Sequence, residues 1–274
     1  MPLTNTPLGR VEALPFPGRL IKVGDPDKEI VKEIQRRLNA LGCGPLKENG
    51  IFDKEKTERA VKLFQARFPD VTGMPLEPDG KIGSLTWGAM FGASTVPSST
   101  IAPTALAEAA VDFAITQIGV MEKPTGSNRG REVDAYLRAV GLNPAGGSFA
   151  WCVAFTHFCY KKAAERLGIP NPHIRTAGVL AHWNKAGSAP GVVRITRAKA
   201  VADPELVKPG SLFIIDFGGG KGHSGMVIEQ ANGRLVTIEG NSNDGGSREG
   251  IGVFKRDARK ISKINKGFVD YSAF

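Results

Sequence analysis

The sequence predicts two folding units: a small all-α N-terminal domain of three helices, and a larger domain in which helices are followed by strands. The chain has 274 residues, more than the roughly 100 to 200 residues of an average domain. Residues 92–105 read GASTVPSSTIAPTA, and this uncharged stretch is typical of an interdomain linker. Before it, apolar residues recur at helical spacing, whereas strand-like runs begin near residue 211.

The N-terminal domain is assigned to residues 24–91, behind an extension of residues 1–23. Apolar residues recur there every three or four positions in three segments, and each segment follows a residue that can cap a helix. The predicted helices are residues 28–42 behind Asp27, residues 54–68 behind Asp53, and residues 85–91 behind Ser84.

Two turns in this domain repeat one pattern: a glycine turn, an apolar residue and a polar helix start. They are Asn49-Gly50-Ile51-Phe52-Asp53 followed by Thr57, and Asp79-Gly80-Lys81-Ile82-Gly83 followed by Thr86. The predicted helices next to these turns carry the other residues of the pattern. They are Ile34-Gln35, Leu38, Ala60-Val61, Phe64-Gln65 and Trp87. With these residues the domain resembles the peptidoglycan-binding domain found at one end of many cell-wall lytic enzymes. The resemblance implies binding of peptidoglycan without chemistry.

In the second domain, a glycine-rich loop from Gly146 to Ala150 runs straight into a predicted helix, and Cys152 falls in the first turn of that helix. Unsatisfied amide N–H groups and the helix dipole favour a thiolate there. Cys152 is therefore a candidate nucleophile if a base lies near it, whereas Cys43 and Cys159 are interpreted as small buried side chains. The helices predicted in this domain are residues 105–118, 131–140 and 153–167.

The candidate base is His223, which begins a predicted strand. The other histidines, His157, His173 and His182, are interpreted as ordinary surface or core residues. The predicted strands are residues 211–217, 223–230 and 234–241, and the last two form a hairpin around Ala231-Asn232-Gly233.

The register of this hairpin decides which side chains lie near His223. A three-residue loop sets Asn241 opposite His223 and Glu239 diagonal to it, all on one face of the hairpin. A two-residue loop would shift the register by one and separate His223 from both partners. The face opposite His223 is expected to be filled by Met226, Ile228, Val236 and Ile238.

Cys152, His223, Glu239 and Asn241 could form one catalytic group. A cysteine nucleophile needs an imidazole that takes its proton or holds it in an ion pair, and the imidazole needs an acceptor on its other nitrogen. Cys152, His223 and Glu239 fit these roles in that order, with Asn241 as the alternative or additional acceptor. A structural cysteine, an exposed strand carboxylate and a turn asparagine remain the alternative interpretations.

Three short segments carry a second resemblance: Trp151-Cys152-Val153-Ala154-Phe155, Gly222-His223-Ser224-Gly225-Met226-Val227 and Ile238-Glu239-Gly240-Asn241. They resemble the cysteine, histidine-dependent amidohydrolase/peptidase (CHAP) family, a branch of the papain-like and NlpC/P60-like fold. The resemblance implies an α+β catalytic domain over residues 106–274, with helices packed on an antiparallel half-barrel sheet. It is weak between Ile169 and Lys208, where we expect an insertion or a long loop. Trp151 and Gly222, which flank the nucleophile and the base, are candidate substrate-binding residues.

Charge and composition limit the partners. The 36 Lys and Arg against 27 Asp and Glu give a net charge of +9, which suits nucleic acid, anionic lipid or an anionic cell wall. No nucleic-acid motif accompanies the basic C-terminal end, so we interpret that end as a solvated or wall-attracted face. No HExxH or paired-Cys spacing predicts a metal. No apolar run of about 18 residues predicts a spanning helix, and the N-terminus has no secretory signal pattern.

Together these features predict a peptidoglycan hydrolase that cleaves an amide of the stem peptide or the muramoyl-alanine linkage. We expect no cofactor, no metal, no nucleic-acid partner, no stable membrane insertion and a monomer. A phage endolysin, made in a bacterial host cytoplasm and acting on the cell wall after release, is the first interpretation. An injected antibacterial effector with the same chemistry and a non-catalytic wall-binding protein are the alternatives.

Overall fold

The computed structural model describes residues 3–6, 9–243 and 250–274, with backbone alone up to residue 12. Arg248 and Glu249, which the sequence places in the basic end, lie outside the described residues. The chain divides into two compact units. Unit 1 comprises residues 1–98 with 201–204 and 231–233, and unit 2 comprises residues 99–200, 205–230 and 234–274.

Unit 1 contains three α-helices and a short antiparallel hairpin, as its apolar spacing predicts for the helices. The core of this unit is built from apolar side chains of all three helices and both repeated turns. In chain order its elements are β1 (Leu3–Thr6), β2 (Gly9–Glu12), α1 (Lys28–Ala40), α2 (Thr57–Arg67) and α3 (Ser84–Phe91).

The helix starts in unit 1 follow their capping residues, with small differences from the prediction. Asp27 caps α1 as predicted, because its side chain accepts a hydrogen bond from the Ile30 amide at 3.1 Å. Helix α2 begins at Thr57 rather than at residue 54, since the Asp53 carboxylate caps a preceding turn by accepting from the Lys56 amide at 2.5 Å. Helix α3 includes Ser84, and the preceding Gly83 is its N-cap.

Unit 1 also includes segments that the sequence assigned elsewhere. The expected extension, residues 1–23, contributes to the core: the Trp87 indole N–H donates to the Leu14 carbonyl at 2.8 Å, and Ile21 is fully buried. The first part of the expected linker is folded, with a 3-10 helix over Ala93–Thr95 followed by a buried Val96. Apolar side chains in both segments supply burial that a free, extended chain could not achieve.

Unit 2 consists of helices and one six-stranded sheet, in the strand order β3-β8-β4-β5-β6-β7. Helix α6 packs against α4 and α5, and the apolar core joins these helices to the sheet. The elements are α4 (Ala105–Thr116), α5 (Arg131–Ala139), α6 (Cys152–Leu167), α7 (Val179–Ala186), β3 (Val193–Thr196), α8 (Arg197–Ala202), β4 (Leu212–Gly218), β5 (Lys221–Ala231), β6 (Arg234–Ser242), β7 (Gly252–Lys260) and β8 (Gly267–Asp270).

Several parts of unit 2 differ from the sequence-based expectation. The segment between Ile169 and Lys208 is ordered into α7, β3 and α8 rather than a long loop. Strand β3 pairs antiparallel with β8, which also pairs with β4. Of the four apolar residues expected opposite His223, Met226 and Ile238 are fully buried in the core, Ile228 packs against it, and Val236 is half-buried. The sheet therefore includes strands that precede the predicted hairpin in the chain and strands that follow it.

The loop between β5 and β6 is shorter than predicted. It has two residues, Asn232 and Gly233, with φ of 52° and 94°, instead of three. Two consecutive residues with positive φ are what a tight two-residue hairpin turn requires. The expectation that such a loop would separate His223 from both partners is nevertheless wrong for Glu239, as described below.

Candidate active site

Cys152 is the first residue of α6, where the sequence placed it. The glycine-rich loop ends at Trp151, which is the N-cap residue of the helix, so the cysteine lies where backbone N–H groups lack helical partners. The Cys152 side chain is only 2% exposed. A substrate can reach its Sγ only if neighbouring side chains move.

His223 lies on β5 opposite Ile215 of β4 and is also 2% exposed. Its Nε2 is 2.8 Å from Glu239 Oε2. Burial alone would lower the pKa of the imidazole, but hydrogen bonds and charge interactions with Cys152 and Glu239 outweigh burial and raise this pKa to about 9. The ring is therefore charged at neutral pH and has an anionic or hydrogen-bonding partner on two sides.

Glu239, on β6, is fully buried and held by several donors. Its Oε1 accepts from Thr237 Oγ1 at 2.7 Å and from Arg259 Nε, and its Oε2 accepts from Arg259 Nη2 at 2.6 Å. Burial alone would raise the pKa of the carboxyl group, but hydrogen bonds from Arg259 and His223 outweigh it and lower this pKa to about 2. The carboxylate is consequently ionised at every pH at which a protein of this kind works.

Gly225 explains how Glu239 reaches His223 despite the two-residue loop. A Cβ atom at Gly225 would lie 2.8 Å from Glu239 Cγ. Since glycine has no Cβ, the glutamate side chain can lie across this position, two residues from His223 on the same strand face. A Cβ at position 225 would therefore require the Glu239 side chain or another close neighbour to shift.

Arg259 is a residue of this site that the sequence analysis did not single out. It lies on β7, opposite Leu235 of β6, and its guanidinium stacks over the Phe213 ring at 4.7 Å. In the sequence, Arg259 is one of several cations in the basic C-terminal end. Its nine-residue strand carries too little apolar alternation to predict that this arginine points inward.

Asn241 takes a different position from Glu239. Its backbone has φ of 53°, at an irregularity between β6 and β7, and its side chain is buried. Among the described residues, Asn241 Oδ1 has no hydrogen-bond partner, and no hydrogen bond joins Asn241 to His223. The geometry therefore brings His223 together with Glu239, and a role for Asn241 stays a prediction.

The two candidate substrate-binding residues are both tightly packed. Trp151 is fully buried; its indole N–H donates to Glu122 Oε1 at 2.8 Å, and its ring centroid is 5.7 Å from that of Tyr136. The Trp151 ring is enclosed by the core, and its role in substrate binding stays a prediction. A Cβ at Gly222 would lie 2.9 Å from Val179 Cγ1, so glycine is needed there for the packing of α7.

The three remaining histidines are core residues, one of the two interpretations from the sequence, and they form a buried cluster. His157 Nδ1 is 3.2 Å from His173 Nδ1, and the His173 and His182 rings stack at 4.7 Å. His182 Nε2 is 2.7 Å from the Tyr271 hydroxyl. Burial lowers the pKa of all three rings, to about 4 for His157 and about 3 for His182. The cluster is therefore neutral at pH 7.

Within the described part of the chain, no group of three or more His, Cys, Asp or Glu side chains is arranged to hold a metal ion. Across those same residues, no helix is long and apolar enough to cross a bilayer. The cysteines Cys43, Cys152 and Cys159 are all buried and free of disulfides.

Comparison with known proteins identifies the first unit. Residues 27–90 match the family model described as "Putative peptidoglycan binding domain", in agreement with the resemblance of residues 24–91. The chain thus carries an N-terminal peptidoglycan-binding domain, which associates it with the cell wall and makes peptidoglycan its partner. Searches among curated proteins and among solved structures give no match.

Proposed function

We propose that the protein is a peptidoglycan hydrolase of the CHAP type, in which unit 2 is a papain-like catalytic domain and Cys152 is the nucleophile. The observation that carries this proposal is the buried pair of His223 and Glu239, 2.8 Å apart, together with the influence of Cys152 on the pKa of His223. The order of the three residues along the chain fits what thiol hydrolysis needs: a nucleophile at a helix N-terminus, an imidazole, and an anion that orients the imidazole.

Each group has a definite task in this mechanism. Glu239 occupies Nε2 of His223, which leaves Nδ1 to face the thiol. The imidazolium holds the Cys152 proton in an ion pair with the thiolate, and the thiolate attacks the carbonyl carbon of the amide. The imidazolium then protonates the leaving amine as the C–N bond breaks, giving a thioester. A water molecule, deprotonated by the neutral imidazole, hydrolyses the thioester and restores the thiol.

The buried surroundings favour this chemistry. A thiolate and an imidazolium attract each other more strongly where water is excluded, and Glu239 stabilises the imidazolium that forms. The Cys152 backbone N–H, in the first turn of α6, would donate to the oxyanion of the tetrahedral intermediate. Unit 1 would hold the enzyme on the insoluble wall and so raise its effective concentration near the substrate.

The first experiment separates catalysis from wall binding. Purified sacculi are incubated with the wild type, with Cys152→Ala and with Cys159→Ala, a matched change seven residues along the same helix. We expect Cys152→Ala to lower lysis by several orders of magnitude, as loss of a catalytic nucleophile does, while sedimentation with sacculi is unchanged. Cys159→Ala should keep lysis close to the wild-type rate.

The outcomes also decide between the alternatives. Lysis by Cys152→Ala at the wild-type rate would exclude the proposed nucleophile. A wild type that binds sacculi but releases no fragment from any peptidoglycan would favour a non-catalytic wall-binding protein. Mass spectrometry of the fragments identifies the bond: a new N-terminal alanine indicates an amidase, and a new amine further along the stem indicates an endopeptidase.

The biological setting is a separate part of the proposal. A phage endolysin would act on the wall of the cell that makes it, whereas an injected effector would act on a competitor. Production of the protein inside a host, with and without a co-expressed membrane pore, distinguishes the two. Lysis that depends on the pore supports the endolysin.

A further inference from the structure

Unit 2 contains a basic cavity on β7 and the turn after it, and Arg259 is one of its lining residues. Its volume is about 380 Å³, within the range of roughly 300 to 1,000 Å³ that is usual for small-molecule pockets. Cations dominate its lining. The charged lining residues are Lys255, Arg256, Asp257, Arg259, Lys260 and Lys263.

The described lining of this cavity is mostly positive. Five of its charged residues are cations and one, Asp257, is an anion. The buried Glu239 adds a second negative charge, but Arg259, Arg256 at 3.8 Å and His223 all share it. A bound anion would be attracted by the cations of this lining.

The two arginines are held in place by buried partners before any ligand arrives. Arg259 donates hydrogen bonds to Glu239 through Nε and Nη2, and its Nη1 takes no part in these two bonds. Arg256 donates from Nε and Nη2 to Ser242 Oγ, both at 3.4 Å. Fixed guanidinium groups lose little freedom on binding, and their planar geometry suits the oxygens of a phosphate.

We propose that this basic cavity binds phosphate groups of an anionic cell-wall polymer. The peptidoglycan-binding domain in the same chain brings unit 2 to a surface where such polymers occur. None of the described lining residues is aromatic, whereas single-stranded nucleic acids are usually held by bases stacked on aromatic rings. The proposal concerns binding, and it stands whether or not the chain is an enzyme.

Arg259 provides a way to locate the bound ligand. It contacts Glu239, and Glu239 contacts the His223 ring. An anion bound next to Arg259 partly neutralises the charge of this arginine and so changes the electric field at His223. The NMR signals of the His223 ring should therefore shift at constant pH. An anion bound elsewhere on the surface leaves these signals unchanged.

The experiment titrates the full-length protein with soluble poly(glycerol phosphate), using calorimetry and His223 ring signals as readouts. The test variant is Lys255→Gln/Lys263→Gln, at two exposed lining residues. The control is Lys185→Gln/Lys199→Gln, which removes two exposed positive charges on α7 and α8. We expect the test variant to weaken binding roughly tenfold, the effect of about one lost charged contact, and the control to weaken it far less.

Two further measurements complete the test. Inorganic phosphate should displace the polymer at higher concentration, with the same movement of the His223 signals, because one group lacks the avidity of a chain. Equal weakening in the two variants, immobile His223 signals or no displacement by phosphate would each overturn the proposal. Tighter binding of duplex DNA than of the polymer, lost in the test variant, would assign the cavity to nucleic acid and also overturn it.

Discussion

At the scale of single residues, Glu239 is the group on which the candidate site depends most. It holds the imidazole of His223 on one side and the guanidinium of Arg259 on the other. These two partners act in opposite directions on His223: the carboxylate favours the imidazolium, and the arginine partly neutralises the carboxylate. The pKa of His223 nevertheless stays near 9. The interactions of the ring with Glu239 and Cys152 therefore raise this pKa by more than burial lowers it.

Glu239→Gln should therefore change the pH dependence of the reaction. Glutamine keeps a hydrogen-bond acceptor but carries no charge, so the pKa of His223 should fall from about 9 toward or below its ordinary value of about 6.5. The thiolate–imidazolium pair exists below the pKa of the ring, so the alkaline limb of the pH–rate profile should move to lower pH. The rate at neutral pH should fall at least roughly tenfold.

Asn241→Gly is the matched control for this experiment. It removes the other candidate acceptor while glycine accepts the φ of 53° at this position. We expect the alkaline limb to stay in place. If the limb moves with Asn241→Gly and not with Glu239→Gln, Asn241 is the third catalytic residue and the assignment of Glu239 is wrong.

At the scale of elements, two equivalent glutamines explain the internal repeat of unit 1. Gln35 Nε2 donates to Asn49 Oδ1, the Ile51 carbonyl and Thr57 Oγ1, and Gln35 Oε1 accepts from the Gly50 amide. The second copy has the same network, in which Gln65 contacts Asp79, Gly80, Lys81 and Thr86. Each glutamine therefore joins its own helix to the glycine turn and to the start of the next helix.

Gln35→Glu and Gln65→Glu should each destabilise unit 1. The substitution replaces a buried donor, which faces three acceptors, by a carboxylate oxygen that repels them. We expect the free energy of unfolding to fall by about 2 to 4 kcal/mol in each variant, the range for buried polar groups left unpaired. Amide hydrogen exchange of α1, α2 and α3 in denaturant measures this loss.

The control for the glutamine variants is Gln117→Glu in unit 2. The Gln117 side chain is half-buried and accepts from the Tyr136 hydroxyl through Oε1, an oxygen that glutamate retains. We expect a change within about 0.5 kcal/mol. A similar small effect in Gln35→Glu would contradict the role of the glutamine networks.

At the scale of the whole molecule, the histidine cluster links segments that are far apart in the chain. His157 comes from α6, His173 from the loop after it, His182 from α7, and Tyr271 from the residue after β8. The rings stack in the interior, and burial keeps them neutral by lowering the pKa of each. Acid should therefore destabilise the fold of unit 2 by protonating these histidines.

The sign of the pH effect follows from the lowered pKa values. In the unfolded chain these histidines bind protons near pH 6.5, whereas the folded chain keeps them neutral down to about pH 4 for His157 and about pH 3 for His182. Their contribution to stability is fully present above pH 6.5 and is lost as the pH falls toward 4. We expect the denaturation midpoint of unit 2 to drop steeply over this interval.

His157→Asn tests the origin of this acid sensitivity. The asparagine amide does not titrate and can still face His173. The loss of unfolding free energy between pH 6.5 and 4 should shrink by about 3 kcal/mol, which corresponds to one histidine with its pKa lowered to about 4. An unchanged slope would place the acid sensitivity elsewhere in unit 2.

Features that depend on neighbouring residues could be predicted from the sequence. Helical spacing and capping residues predict α1, α3 and α6 within a few positions, because these signals are local. The glycine turns and their partners predict the peptidoglycan-binding domain, and the loop before α6 predicts the place of Cys152. The hairpin that carries His223 and Glu239 was also predicted, although with a loop one residue too long.

Only the tertiary structure decided which distant side chains meet. The contact of Glu239 with His223 depends on the space at Gly225, and the pairing of Glu239 with Arg259 depends on how β7 lies beside β6. Likewise, the burial of Trp151 and the stacking of three histidines arise from packing between elements far apart in sequence. Periodicity reports which face of an element is apolar, whereas the neighbours of that face are set by the packing of the whole unit.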